Sequence, residues 1–96
     1  MKITLTKVSQ QVANSIKSNP SLFDSKLREK YPMVLSWFYN FKANELTIEF
    51  PDAKNLKNKV KQLKNDLETN NYGTLKEIEI FGIIFKFNEK MSEVSI

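Results

Sequence analysis

Apolar and polar positions alternate along residues 3 to 7, where Ile3 and Leu5 are set against Thr4 and Thr6, the period of a short strand that buries one face. The period then lengthens. Ser9 stands where an N-cap belongs, and Val12, Ala13 and Ile16 beyond it share one helical face. Asn19-Pro20 is a second start signal, with Asn as the cap and Pro at the first helical position. One helix therefore ends at Ser18 and another runs to about Lys30. Tyr31-Pro32 stops the second, because the residue before a proline is pushed out of helical angles.

From Val34 to Phe50 the period returns to two, in two runs around the polar segment Lys42-Ala43-Asn44-Glu45, which predicts a hairpin. Pairing Phe41 with Leu46 sets Tyr39 against Ile48 and Trp37 against Phe50. Leu35, Trp37, Tyr39 and Phe41 then share a buried face with Leu46, Ile48 and Phe50. A slip of one residue would oppose that face with Thr47 and Glu49, so the loop has two or four residues rather than three.

Pro51-Asp52 opens a third helix with Asp52 as cap, in which Leu56, Val60, Leu63 and Leu67 form one narrow apolar stripe. It frays near Asn70-Asn71 and ends before Gly73. Leu75 to Phe87 is β-rich with a change of phase: Ile78 and Ile80 point inward before Gly82, and Ile83, Phe85 and Phe87 after it. A bulge or tight turn at Gly82 reconciles the halves. The order is strand, helix, helix, strand, strand, helix, strand. Residues 1–88 read as a single α+β domain and 89–96 as a frayed tail, without internal repeat or linker.

A chain of 96 residues has material for one modest core. With neither Cys nor His it lacks disulfides, thiolate and imidazole metal ligands, and the side chains most used for proton transfer near neutral pH. The amino terminus, with Lys2 and Lys7, has no unbroken apolar segment of the signal-peptide kind, and no stretch is long enough to cross a bilayer. The expected location is the cytoplasm, without membrane partner, small-molecule substrate or cofactor. Rich use of Lys, Asn, Ile and Phe is the composition of AT-rich genomes, which associates the chain with a plasmid, phage or other mobile element.

The net charge of +4 directs attention to anionic partners, and Arg28 is the only arginine among the cations. In order and spacing, Val12 to Leu27 resembles the helix-turn-helix of winged-helix DNA-binding proteins: Ala13 is the small residue of the first helix, Ile16 closes it, and Phe23 and Leu27 anchor the second. With the strand before and the hairpin after, residues 3–50 follow the winged order β-α-α-β-β, extended here by a helix and a strand. Lys17 stands where the family often has a turn glycine, no helix precedes the first strand, and the wing tip offers only Lys42. The resemblance implies that the second helix presents Ser21, Ser25, Lys26, Arg28 and Lys30 to a major groove, with Lys42 on the wing. On the third helix Lys54, Lys57, Lys61 and Lys64 recur at three, four and three, and no acid interrupts residues 53–64. Such a stripe either tracks a phosphate backbone or is a solvated face whose lysine stems lie along the core edge.

Among the hairpin aromatics, Phe38 alone points away from the buried face. It is a candidate for base stacking or protein contact, and with Ile84 for a dimer interface. Glu77 and Glu79 project together from one strand but have no third acid beside them by sequence, so metal chemistry has no support. The sequence thus supports a small basic accessory or regulatory protein that binds double-stranded DNA, not an enzyme, and forms a homodimer. The competing reading is a ferredoxin-like α/β sandwich with a four-stranded antiparallel sheet, serving as a non-catalytic interaction or structural module that self-associates.

Overall fold

A computed structural model describes residues 1–51 and 56–86, with backbone alone at Leu56 and Lys57. The chain runs β1 (Lys2–Thr6), α1 (Gln10–Ser18), α2 (Pro20–Lys30), β2 (Ser36–Asn40), β3 (Glu45–Glu49), α3 (Leu56–Thr69), β4 (Thr74–Ile80) and β5 (Ile83–Lys86). The strands form one antiparallel sheet in the order β2-β3-β1-β4-β5. Two crossovers, β1 to β2 through α1 and α2 and β3 to β4 through α3, therefore interleave around the central β1.

Local chemistry accounts for the helix boundaries. The Ser9 hydroxyl accepts from Val12 N–H at 3.3 Å and caps α1. Asn19 closes one helix and opens the next: its N–H donates to Ser15 O at 3.0 Å, while its Oδ1 accepts from Leu22 N–H at 3.1 Å. Pro20 follows at a position that needs no donor. The proposed cap Asp52 lies outside the described residues. So does the tail 89–96.

Helices and sheet share one core. Ala13 and Ile16 of α1, Phe23 and Leu27 of α2, and Val60, Leu63 and Leu67 of α3 pack with Ile3, Leu5, Tyr39, Leu46, Ile48, Ile78 and Ile80 from the strands. Strand alternation leaves Lys2, Thr4, Phe38, Thr47, Glu49, Glu77, Glu79, Ile84 and Lys86 on the opposite face. No described helix covers that face.

Three expectations are corrected. The sheet has five strands rather than four, because Phe81 and Gly82, both at positive φ, make a two-residue turn that folds the β-rich segment back on itself. The first hairpin pairs Tyr39 with Leu46 and Trp37 with Ile48, two residues from the expected register, with Phe41 to Asn44 as its loop. An even shift preserves the faces, so Tyr39 is buried and Phe38 points outward. It does not preserve burial at the ends: Leu35 and Phe41, expected in the core, are 56% and 60% exposed because they flank an edge strand, beyond its last paired residues.

Candidate functional site

The cations singled out in the sequence fall on different parts of the surface. Lys26 and Lys30, one turn apart on α2, border a cleft of about 310 Å³ between the first two helices and the Asn70–Tyr72 turn. Gln11, Ser15, Asn70 and Asn71 contribute polar groups, and no carboxylate of the described residues lines it. The Lys30 ammonium lies 5.7 Å from the centroid of the Tyr72 ring, within range of a cation–π contact. In the sequence Asn70 and Asn71 mark only the fraying end of the third helix. Their positions beside Lys30 depend on the tertiary fold.

Arg28 does not join this pair. Two residues from Lys26 is about 200° around a helix, so the guanidinium leaves from the opposite flank. Its Nε donates to both carboxylate oxygens of Asp24 at 3.0 and 3.1 Å, and Nη1 donates to Val34 O at 2.8 Å. The side chain clasps α2 to the segment leading into β2. Ser21 and Ser25 are exposed on α2.

Lys42 is exposed on the β2–β3 loop. On α3, Lys64 pairs with Glu68 at 2.8 Å, whose other oxygen accepts from Leu75 N–H at 3.1 Å. That places Lys64 on the flank toward β4. Asp66, about 200° away on the same helix, is the group whose charge acts on Tyr31 at the end of α2. Lys61 is exposed. The side chain of Lys57 and all of Lys54 lie outside the described residues. The uncovered sheet face carries Glu45, Glu49, Glu77 and Glu79 against Lys2, Lys76 and Lys86, and Lys76 pairs with Glu45 at 2.7 Å. These signs nearly cancel. Among the described residues no three His, Cys, Asp or Glu side chains converge as metal ligands do.

Apolar exposure is more concentrated than charge. Leu35, Phe38 and Phe41 lie along β2 and its ends, with Phe38 65% exposed, while Phe81, Ile83 and Ile84 lie along the β4–β5 hairpin. Beside β2, a cleft of about 430 Å³ is lined by Ile16, Lys17, Pro20, Trp37, Tyr39 and Phe41, together with Phe38. Phe41 is held there by the Tyr39 ring, edge-on at 4.8 Å between centroids, and by the Lys17 ammonium 5.8 Å from its own centroid. Both edges of the sheet thus present large apolar side chains.

Among the described residues no helix is long and apolar enough to cross a membrane. No protein-family model matches the chain, and no curated protein or solved structure matches it.

Proposed function

We propose that the chain is a non-catalytic protein-interaction module that self-associates through its sheet. The observation that carries this reading is the gathering of Leu35, Phe38, Phe41, Phe81, Ile83 and Ile84 on the two sheet edges. Apolar patches of that kind on small domains mark association sites. We read the architecture as ferredoxin-like with an added edge strand, on the grounds of the spatial order β2-β3-β1-β4 and the interleaved crossovers. Absence of His and Cys supports a binding role over a catalytic one, and absence of Cys also suits a reducing cytoplasm. Sedimentation equilibrium from about 1 µM to about 500 µM tests the proposal, since a weak homodimer changes mass within that window. A mass fixed at 11.2 kDa throughout would refute it.

Duplex DNA binding by a winged-helix-like arrangement is the second reading, favoured by the acid-free cleft of Lys26 and Lys30. Dispersal of the other cations limits how many phosphates one duplex would meet. Titration of mixed-sequence duplex against salt tests it. Binding at low salt that Lys26→Glu and Lys30→Glu abolish supports it, and no binding at low salt rejects it.

A further inference from the structure

We infer that the free edge of β2 is a self-complementary surface on which a second copy of the chain adds its own β2 antiparallel, about a two-fold axis at Phe38. This rests on the self-association proposed above and supplies its surface and register.

Backbone geometry leaves that edge ready to pair. The Met1 ammonium donates to Phe50 O at 2.8 Å and Phe50 N–H donates to Met1 O at 2.8 Å, so the backbone of Phe50 faces β1. Alternation along β3 turns Glu49, Thr47 and Glu45 toward β2. The bond from Leu35 N–H to Glu49 O at 2.8 Å agrees. The partners of those three residues are Ser36, Phe38 and Asn40. The N–H and C=O groups of Trp37 and Tyr39 therefore point away from the sheet, and no described strand lies beyond them.

Side chains on this edge match their own kind. Antiparallel pairing about Phe38 sets Trp37 against the partner's Tyr39 and Ser36 against the partner's Asn40, and brings Leu35, just before the strand, toward the partner's Phe41, just after it. Aromatic meets aromatic, amide meets hydroxyl, and the exposed apolar groups cover one another. Trp37 N–H donates to the carbonyl of the partner's Tyr39, whose N–H returns to Trp37 O. The two Phe38 residues then occupy a non-hydrogen-bonded pair, where side chains approach closest. The partner's Leu35 falls beside Phe41, at the mouth of the 430 Å³ cleft.

Charge is compatible with two identical surfaces meeting. Residues 35–41 include no ionisable acid or base apart from the Tyr39 phenol, and Lys42 falls opposite the partner's Val34 rather than its own copy. Sheet edges are ordinarily guarded by lysine or proline within the strand, and Ser36–Asn40 has neither.

Area sets the strength. Leu35, Phe38 and Phe41 cover roughly 300 Å² per copy, given the size of such side chains. Strand backbone and the rim of Trp37 bring the total over both copies toward about 1,000 Å², the low end of specific interfaces. Interfaces at that end of the range belong to weak, reversible dimers.

Because the chain has no cysteine, Phe38→Cys introduces a single thiol per copy. A non-hydrogen-bonded pair sets the α-carbons about 4.5 Å apart, within disulfide range. Oxidised glutathione takes the two electrons and two protons and leaves as two reduced glutathiones. The expected result is a covalent dimer from Phe38→Cys and none from Ile84→Cys under the same conditions. Phe38→Lys sets like charges at the axis and is expected to weaken the dimer at least about tenfold by sedimentation, with an unchanged thermal melt at concentrations where the native chain is monomeric, because the site is exposed. If the native chain dimerises while Phe38→Cys stays monomeric or Phe38→Lys leaves the affinity intact, the β2 interface is overturned and self-association stands. If Ile84→Cys alone cross-links, the interface is at β5. If the native chain is monomeric throughout, both proposals fall.

Discussion

The indole Nε1 of Trp37 on β2 donates a 2.8 Å hydrogen bond to Oδ1 of Asp24 on α2. Phe23, one residue earlier on the helix, packs edge-on against the same indole with centroids 4.9 Å apart. Together with the Arg28 clasp, these contacts attach the second helix to the edge strand, and so hold β2 and the neighbouring cleft in place. The Trp37 bond first, and the Arg28 bond second, hold the Asp24 carboxyl below its ordinary value of 3.8.

A depressed carboxyl pKa has a definite sign in stability. The native fold binds the Asp24 proton less readily than the unfolded chain, so the contribution is fully present above pH 3.8 and is lost as pH falls through the lower native value. Asp24→Asn should therefore flatten the acid limb of the stability profile below pH 3.8 and leave its slope near neutrality unchanged. Thermal melts of both proteins from neutral to acid pH, followed by Trp37 fluorescence, check this. Parallel acid limbs would show that Asp24 is not coupled to folding.

Tyr31, the C-cap of α2, has its ring edge-on to Phe50 at 6.1 Å and its hydroxyl buried without a hydrogen-bond partner among the described residues. Burial first, then the charge of Asp66, pushes the phenol up to about 12. The folded chain retains the proton where an unfolded one gives it up, so this contribution is present below pH 10 and is lost as pH rises through about 12. Tyr31→Phe removes a desolvated polar group and keeps the ring. It should be neutral or stabilising by up to ~1 kcal/mol near neutrality and should reduce the loss of stability in the alkaline window. Denaturant melts at neutral pH and above pH 10 measure both effects.

The parts of this structure legible in sequence are those that local chemistry decides. Asn19-Pro20 specifies a break between two helices because one side chain caps where a proline can follow, and Gly82 marks the reversal that ends β4 because the turn there needs positive φ. Strand faces were legible as well, since alternation survives an even slip of register. What local chemistry leaves open is where each surface lies in the assembled domain. Leu35 and Phe41 belong to an alternating run, yet burial depends on their standing at the end of an edge strand. Arg28 is one of several cations on α2 in the sequence, yet its role depends on Val34 O and Asp24 converging on it. The same holds for Lys26 and Lys30, whose cleft is completed by residues some forty positions away.

Gly73 joins α3 to β4 where the chain passes close over β1. A Cβ there would stand 2.9 Å from Thr6 O and 3.2 Å from Leu5 Cβ, and φ is +155°. Backbone cannot move aside as a flexible side chain can, so Gly73→Ala should cost about 2–3 kcal/mol. In a domain of this size that lowers the melting temperature by roughly 10 °C or more, which calorimetry measures. A shift within a few degrees would mean that β1 yields at Thr6.

Phe81 sits at φ +52° beside Gly82 at φ +78°, a pair of left-handed residues in a two-residue hairpin turn. Glycine carries such an angle at no steric cost, and asparagine tolerates it through local hydrogen bonding, whereas phenylalanine is strained there by about 1 kcal/mol. The Phe81 ring is 77% exposed, so little packing offsets the strain. Phe81→Asn should therefore stabilise the domain by about 1 kcal/mol, raising the melting temperature by roughly 4–8 °C. Since position 81 is remote from β2, dimerisation through Phe38 should keep its affinity in this variant. If instead the variant melts at or below the native temperature, the ring contributes packing that its exposure does not reveal. If its dimer affinity falls, the terminal hairpin takes part in self-association.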